Sequence, residues 1–467
     1  MLLRHASAVV LLFVWASATA LTTTEQLARD ILAELVAIDT FRSGDVGRTR
    51  EAADLLAARL KRAGFPAEDV QVLGLTPGDG NLIARYRSAN PPASKNQQRP
   101  VILLAHLDTV STSPLNWNTN PVQLVEKDGY YYGRGTRDIK DGAARLVANF
   151  IRLRAEGFRP NRDLIILLTA DEETSGANLV WLLDQHRPLL DSAFGRNTDA
   201  GYVELTRDGR PNSFVIQTAE KIYASFALEA SSPGGHSSRP TADNAIYKLA
   251  RGLKRLEPYR FPRALNETAR VYFERWVPLA PPELQPGARA LGAGRLDDPA
   301  IATVEQLPYL NALFHTTCVA TQLSGGGSEN ALPERARAVV NCRILPESSP
   351  AAVEAVLRDL VAAEGVTVAP AAPASVGPSS PLDPEVLGLV EAISAELWPG
   401  IPVLPEMSPG ASDGLFLRGA GIPTYGIGAV PEAPDDDTSH SPNERIRIAA
   451  FNQSLEYWYR LTKRLAE

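Results

Sequence analysis

Cysteine is nearly absent: the 467 residues contain Cys318 and Cys342 and no others. That excludes a disulfide scaffold and a thiolate metal cluster. Clustered basic charge is missing as well. Lys and Arg number 47 against 54 Asp and Glu, a net charge of −7, and no basic run is present to track a phosphate backbone, so nucleic acid is not an expected partner. Long apolar runs are also lacking. The stretch Ala8 to Trp15 is shorter than the roughly 20 residues that span a bilayer. With Arg4 before it and Ala18-Thr19-Ala20 after it, it has the plan of a cleaved secretory signal over residues 1–20. The expectation is export to the periplasm or the medium, with no stable membrane span.

What is present is enough apolar residue, 44%, for a chain of this length to build more than one core. Apolar positions recur at helical spacing between Thr22 and Ala63. Val101–Ala105 and Leu164–Leu168 are short continuous apolar runs that suit strands buried on both faces, and Gly142–Ala155 between them reads as a helix. Strand, helix and strand in that order predict an α/β sheet with parallel pairing. After Glu204 the texture changes to that of a smaller α+β unit. The expected division is a catalytic domain of residues 21–213 and 347–467 and an inserted lid of residues 214–346. Within the lid, residues 277–308 are rich in Pro and Ala and read as an insertion of unassigned role. Cys318 and Cys342 fall on two expected antiparallel strands around Ser324–Gly327, where they either pair or sit as two buried small residues.

Chemistry concentrates at strand ends. His106 and Asp108 follow the Val101–Ala105 run at a spacing that aims both side chains to one side, and α/β sheets place their sites at the C-terminal ends of strands. Asp138 precedes the Gly142–Ala155 helix, as an N-cap or as a metal bridge. Asp171-Glu172-Glu173 follows the second apolar run, where carboxylates are costly unless cations neutralise them. Glu204 is an acid among apolar neighbours, and His440 supplies a distant second imidazole. Together they offer ligands for two divalent ions sharing one carboxylate, with one acid left to take a proton from water.

In order and spacing these residues resemble the M20 family of metallopeptidases, which includes aminoacylases and carboxypeptidase G-type enzymes. The resemblance implies a zinc-exopeptidase-like α/β catalytic domain, a mixed sheet flanked by helices, with an inserted α+β lid or dimerisation domain. It implies two Zn2+ per chain, with Co2+ or Mn2+ as substitutes: His106 and Glu204 on one ion, Glu173 and His440 on the other, Asp138 bridging. Asp108 would orient His106, and Glu172 would be the general base. The segment Gly234–Pro240 resembles the family's oxyanion segment, which makes His236 the candidate donor, in many relatives across a dimer. Ser324–Pro333, followed by Arg343, resembles the substrate-gripping segment, with Arg343 and Asn330 holding a free carboxylate. Gly410–Gly414 resembles a loop lining the site, with Gly410 and Ser412 in contact with substrate.

Glu at position 204, together with Asn311–Thr317, resembles the carboxypeptidase S and N-acyl amino acid hydrolase branch. The expected substrate is therefore a peptide or N-acyl amino acid cut beside a free carboxylate. A dipeptidase, a succinyl-diaminopimelate-type deacylase and a non-catalytic peptide-binding relative are the alternatives.

Overall fold

The computed structural model describes residues 21–44, 46–89 and 99–467; the expected leader at residues 1–20 lies outside them. Val101–His106 and Leu164–Thr169 are parallel neighbours, every residue buried, with His106 opposite Thr169. Their alternate side chains serve two cores. Leu103, Ala105, Ile166 and Leu168 join the core shared with helices Thr23–Ala37, Lys140–Ala155 and Ile448–Arg464. Ile102, Leu104, Ile165 and Leu167 turn the other way, onto Leu179, Leu182 and Leu417. A strand covered on both faces needs no polar side, which is why these runs are continuous rather than alternating. Burying each such Leu or Ile stabilises by about 2 kcal/mol.

These two strands belong to a ten-stranded mixed sheet. Val101–His106 lies between Leu164–Thr169 and Phe194–Asn197, parallel to both, so the three C-terminal ends open on the same side. Thr424–Gly426 continues the parallel run beyond Phe194–Asn197, and Pro211–Glu220 then reverses it. Tyr202–Leu205 and Val403–Ser408 both pair with Pro211–Glu220, the first antiparallel and the second parallel.

The expected domain limits need correction. Pro211–Glu220 is a strand of the large sheet, and the smaller unit begins one residue after Lys221. Its sheet runs Thr317–Gly325, Arg335–Ile344, Ile222–Ser231, Val366–Pro370, all antiparallel. Helix Pro350–Val361 packs with Ala245–Leu256 on one face of that sheet, so the lid continues to about residue 370 rather than 346. Sequence periodicity marks a helix but does not say which sheet it covers.

Four short helices between Glu267 and Ala312 form a cluster of their own around Phe273, Leu291, Val304 and Phe314. Leu404 of the large sheet is part of that cluster, so the insertion buttresses the catalytic domain. Cys318 and Cys342 face each other across the two lid strands and form a disulfide, which decides between the two alternatives.

Candidate active site

His106 ends its strand and is 1% exposed. Its Nδ1 lies 3.0 Å from the backbone oxygen of Asp108. A carbonyl oxygen only accepts, so Nδ1 carries a hydrogen, and Nε2 is the ring nitrogen turned to the site. Nε2 is 3.2 Å from Asp138 Oδ1 and 3.9 Å from both Glu172 Oε2 and Asp199 Oδ1. Burial disfavours an imidazolium here, but hydrogen bonds to Asp108 and Asp138 outweigh it and hold the His106 pKa well above its ordinary value.

The acid turn after Leu164–Thr169 is held from within. Both oxygens of the Asp108 carboxylate accept backbone N–H groups, from Glu172 at 3.1 Å and Glu173 at 3.0 Å. Asp108 thus orients His106 through its carbonyl and the acid turn through its carboxylate. Asp171 is consumed in the turn, accepting from Ser175 Oγ and Asn178 N. Glu172 and Glu173 remain to face the site. Burial, reinforced by the Asp199 charge, pushes the Glu172 carboxyl well above the carboxylate range.

Asp138 is not an N-cap: the helix starts at Lys140 with no side-chain cap, and Asp138 points its carboxylate between the two histidines. His440 Nε2 is 3.0 Å from Asp138 Oδ2 and 2.9 Å from Glu173 Oε2. Hydrogen bonds to these two acids raise His440 to about 10. Its backbone sits at φ 61, a left-handed conformation that is uncommon outside glycine and that clusters at functional positions.

Behind this loop Glu444, fully buried, accepts N–H bonds from Gly135, Arg137 and Asp138 and pairs with Arg134 Nη1 at 2.7 Å. Gly142 completes the fit. A Cβ there would meet Thr198 Oγ1 at 2.3 Å, so only glycine lets the helix approach the Asp199 loop.

Donor atoms of His106, Asp138 and Glu173 lie within 4.8 Å of one another, as do those of His106, Glu172 and Asp199. Glu173 Oε1 is buried without a hydrogen-bond partner. Four carboxylates converging on two imidazoles, with a buried oxygen left over, fit divalent cations that accept nitrogen and oxygen ligands.

Of the expected ligands, the structure brings together His106, Asp138, Glu173 and His440. It does not bring Glu204. That carboxylate accepts from Asn212 Nδ2 and Ser213 Oγ on the neighbouring strand, while Asp199 takes the place beside His106. The resemblance to the carboxypeptidase S and N-acyl amino acid hydrolase branch then rests on Asn311–Thr317 rather than on Glu204. A sequence signal for Asp199 existed: it stands two residues past the end of a parallel strand, while His106 ends its parallel strand and Glu172 stands three residues past the end of its own, whereas Glu204 lies inside its strand. Glu444 had no such signal, because its role depends on three N–H groups more than 300 residues away in sequence.

Ser412 is also corrected. It is buried, donates to Glu220 Oε1 at 2.6 Å and accepts from Asn197 Nδ2, so it ties the loop to the sheet. Gly410 donates its N–H to Ser408 Oγ. In the same loop Asp413, fully buried, accepts from Thr169 Oγ1 at the end of the strand next to His106.

His236 and Asn330 are neighbours on the lid: Gly235–His236 pairs with Ala331–Leu332, and Ser237 N donates to Asn330 O. Both are exposed, and neither lines the cavity at the acids. Arg343 stacks over Tyr223 at 4.6 Å and spends one Nη on Pro409 O. The cavity, of about 480 Å3, extends from Asp138 and Asp199 past Tyr202 and Glu204 to Glu406.

Residues 102–464 match the model of Peptidase family M20/M25/M40. Among curated relatives, the N-fatty-acyl-amino acid synthase/hydrolase PM20D1 of Bos taurus is 26% identical over 388 residues, covering 78% of this chain and 74% of the relative. An M20 family metallo-carboxypeptidase from Sulfolobus solfataricus shares the fold with a TM-score of 0.68 at 19% identity, covering 93% of this chain and 98% of that one. A dinuclear metal-binding M20 peptidase of Bacillus subtilis aligns with a TM-score of 0.54 at 13% identity, over 95% of this chain and 98% of the neighbour. With carboxylates and imidazoles gathered at the strand ends and a family match over most of its length, the chain belongs to peptidase family M20/M25/M40 and is a hydrolase with a candidate metal-binding group.

Proposed function

We propose that this hydrolase cleaves the amide bond of a peptide or N-acyl amino acid whose leaving half carries a free carboxylate. The observation that carries the reading is the sharing of Asp138 between His106 and His440, with Glu172 and Asp199 gathered on the first imidazole and Glu173 on the second. In this arrangement His106 and Asp199 would hold one zinc ion, Glu173 and His440 the other, and Asp138 both. When bound, the pair supplies polarisation of the amide carbonyl and acidification of water.

Glu172 receives no hydrogen bond on its carboxylate among the described residues, which leaves it free as the base. It takes a proton from water as the water oxygen attacks the carbonyl carbon. It returns that proton to the amide nitrogen as the carbon–nitrogen bond breaks, releasing an acid and an amine. On the lid, Arg343 and Asn330 would grip the leaving carboxylate and His236 would donate to the developing oxyanion.

Since His236 and Asn330 do not line the cavity, the lid must close on it or a second copy must supply them. The edge strand Thr317–Gly325, with Val319 61% and Leu323 71% exposed, supports the second-copy arrangement through the lid. The leader expected at residues 1–20 assigns the enzyme to an exported compartment; among the described residues no helix is long and apolar enough to cross a membrane.

The test is hydrolysis of C-terminally free and C-terminally amidated peptides, together with N-acyl amino acids, by chelated and zinc-reconstituted protein. Zinc-dependent release of amino acids from the free-carboxylate substrates alone is expected. Arg343→Ala should raise KM for those substrates. Equal cleavage of the amidated forms would remove the carboxylate assignment, and zinc-independent turnover would remove the metal one.

A further inference from the structure

Glu204 and Glu406 stand on the two strands that flank Pro211–Glu220, opposite Ser213 and Gln217, and both line the cavity that begins at Asp138 and Asp199. Glu406 is 6% exposed. One of its oxygens accepts from the Tyr309 hydroxyl, delivered by the last helix of the inserted cluster, and no donor among the described residues reaches the other. Glu204 is held by two neutral donors, Asn212 and Ser213. Among the described residues neither carboxylate forms an ion pair with a basic side chain, whereas Glu432 in the same wall is paired with Arg137. Burial and the Glu204 charge both hold the Glu406 carboxyl above its usual range. Two acids share a half-enclosed space without a counter-ion of their own, an arrangement that a bound cation would relieve.

A leaving-group carboxylate would be repelled here, so this end of the cavity takes the acyl half of the substrate. Its remaining apolar wall is short, Ala200, Leu205, Ala433 and Pro434 with the ring of Tyr202, and offers little to a long apolar chain beyond them. We propose that Glu204, Glu406 and Tyr309 form the specificity site for a cationic group, an ammonium or guanidinium, on the residue that supplies the scissile carbonyl. This rests on the amide-hydrolase reading and narrows its substrate to aminoacyl compounds rather than fatty-acyl ones. The inserted cluster then has a function: it carries Tyr309 to the wall and orients Glu406.

The test compares kcat/KM of the zinc-loaded full chain on four substrates ending in leucine: alanyl-leucine, N-acetyl-lysyl-leucine, N-acetyl-norleucyl-leucine and N-lauroyl-leucine. At least one cationic substrate should exceed the norleucyl one by about tenfold, the size expected for one well-placed charge contact. Alanyl-leucine leading would identify an α-ammonium as the recognised group, and the lysyl substrate leading would identify a side chain. Glu406→Gln and Glu204→Gln should shrink that preference, chiefly through KM, and Tyr309→Phe, which alters only a hydroxyl, should shrink it partly. Lauroyl or norleucyl substrate leading, or a cationic preference unchanged in all three variants, would overturn the proposal while leaving the hydrolase reading intact. No cleavage of any of the four would count against the hydrolase reading itself, and the specificity site would fall with it.

Discussion

Glu444 accepts the backbone N–H of Asp138 at 3.0 Å through the oxygen that also accepts from Arg137, while its other oxygen holds Gly135 and Arg134. A residue near the end of the chain therefore sets the position of the carboxylate shared by both histidines. Glu444→Gln keeps the shape but removes the charge opposite buried Arg134. The expected cost is about 3 kcal/mol, since breaking a buried ion pair leaves one charge uncompensated. Thermal unfolding should show it, and metal affinity should fall with it even though Glu444 supplies no ligand atom itself and acts only through the backbone of Asp138. A loss of stability with unchanged metal affinity would separate Glu444 from the site.

Asp199 and Glu204 make opposite predictions. Asp199→Asn should reduce metal bound per chain, because its carboxylate stands beside His106, whereas Glu204→Gln should leave metal content as it was. Elemental analysis after dialysis against dilute zinc decides it, and the reverse pattern would restore Glu204 as the ligand.

Glu172→Gln should lower kcat by about a hundredfold or more, the usual scale for losing a general base. Both metals should remain bound. If the variant also loses metal, Glu172 is a ligand and the base must be sought elsewhere.

The pH dependence of the metal-free protein follows from His440. Its folded pKa of about 10 exceeds the ordinary 6.5, so its contribution to stability is complete below about 6.5 and is lost as pH rises through 10. The melting temperature of chelated protein should therefore fall across that window, and the fall should be shallower in His440→Gln. Zinc must displace the same proton, so metal binding near neutrality should release protons to the buffer, measurable by calorimetry in buffers of different ionisation enthalpy.

Thiol titration of the denatured, unreduced protein should find none, since Cys318 and Cys342 are paired. The bridge ties the exposed edge strand of the lid to its neighbour and closes a loop with a sequence separation of 24. Reduction should cost roughly 3 kcal/mol by loop entropy. Two free thiols would contradict the pairing.

The sequence by itself determined the class of the site and much of the catalytic sheet. His106, Asp138 and Glu172-Glu173 were legible because each sits within a few residues of a strongly patterned strand or helix, and local pattern is what sequence carries. The pairing partners of the lid strands followed from the turn between them, which is why Cys318 and Cys342 could be placed opposite each other but not declared bonded. Only the tertiary structure decided what depends on contacts between distant segments. It put Asp199 rather than Glu204 beside His106, because strand direction, not the acid's apolar surroundings, sets which carboxylate reaches the open edge. It assigned Pro350–Val361 and Val366–Pro370 to the lid, since amphipathic periodicity shows that a face is buried without saying against which sheet. It also brought Glu444 under the Asp138 loop and Tyr309 onto Glu406, contacts spanning 306 and 97 residues that no local pattern encodes.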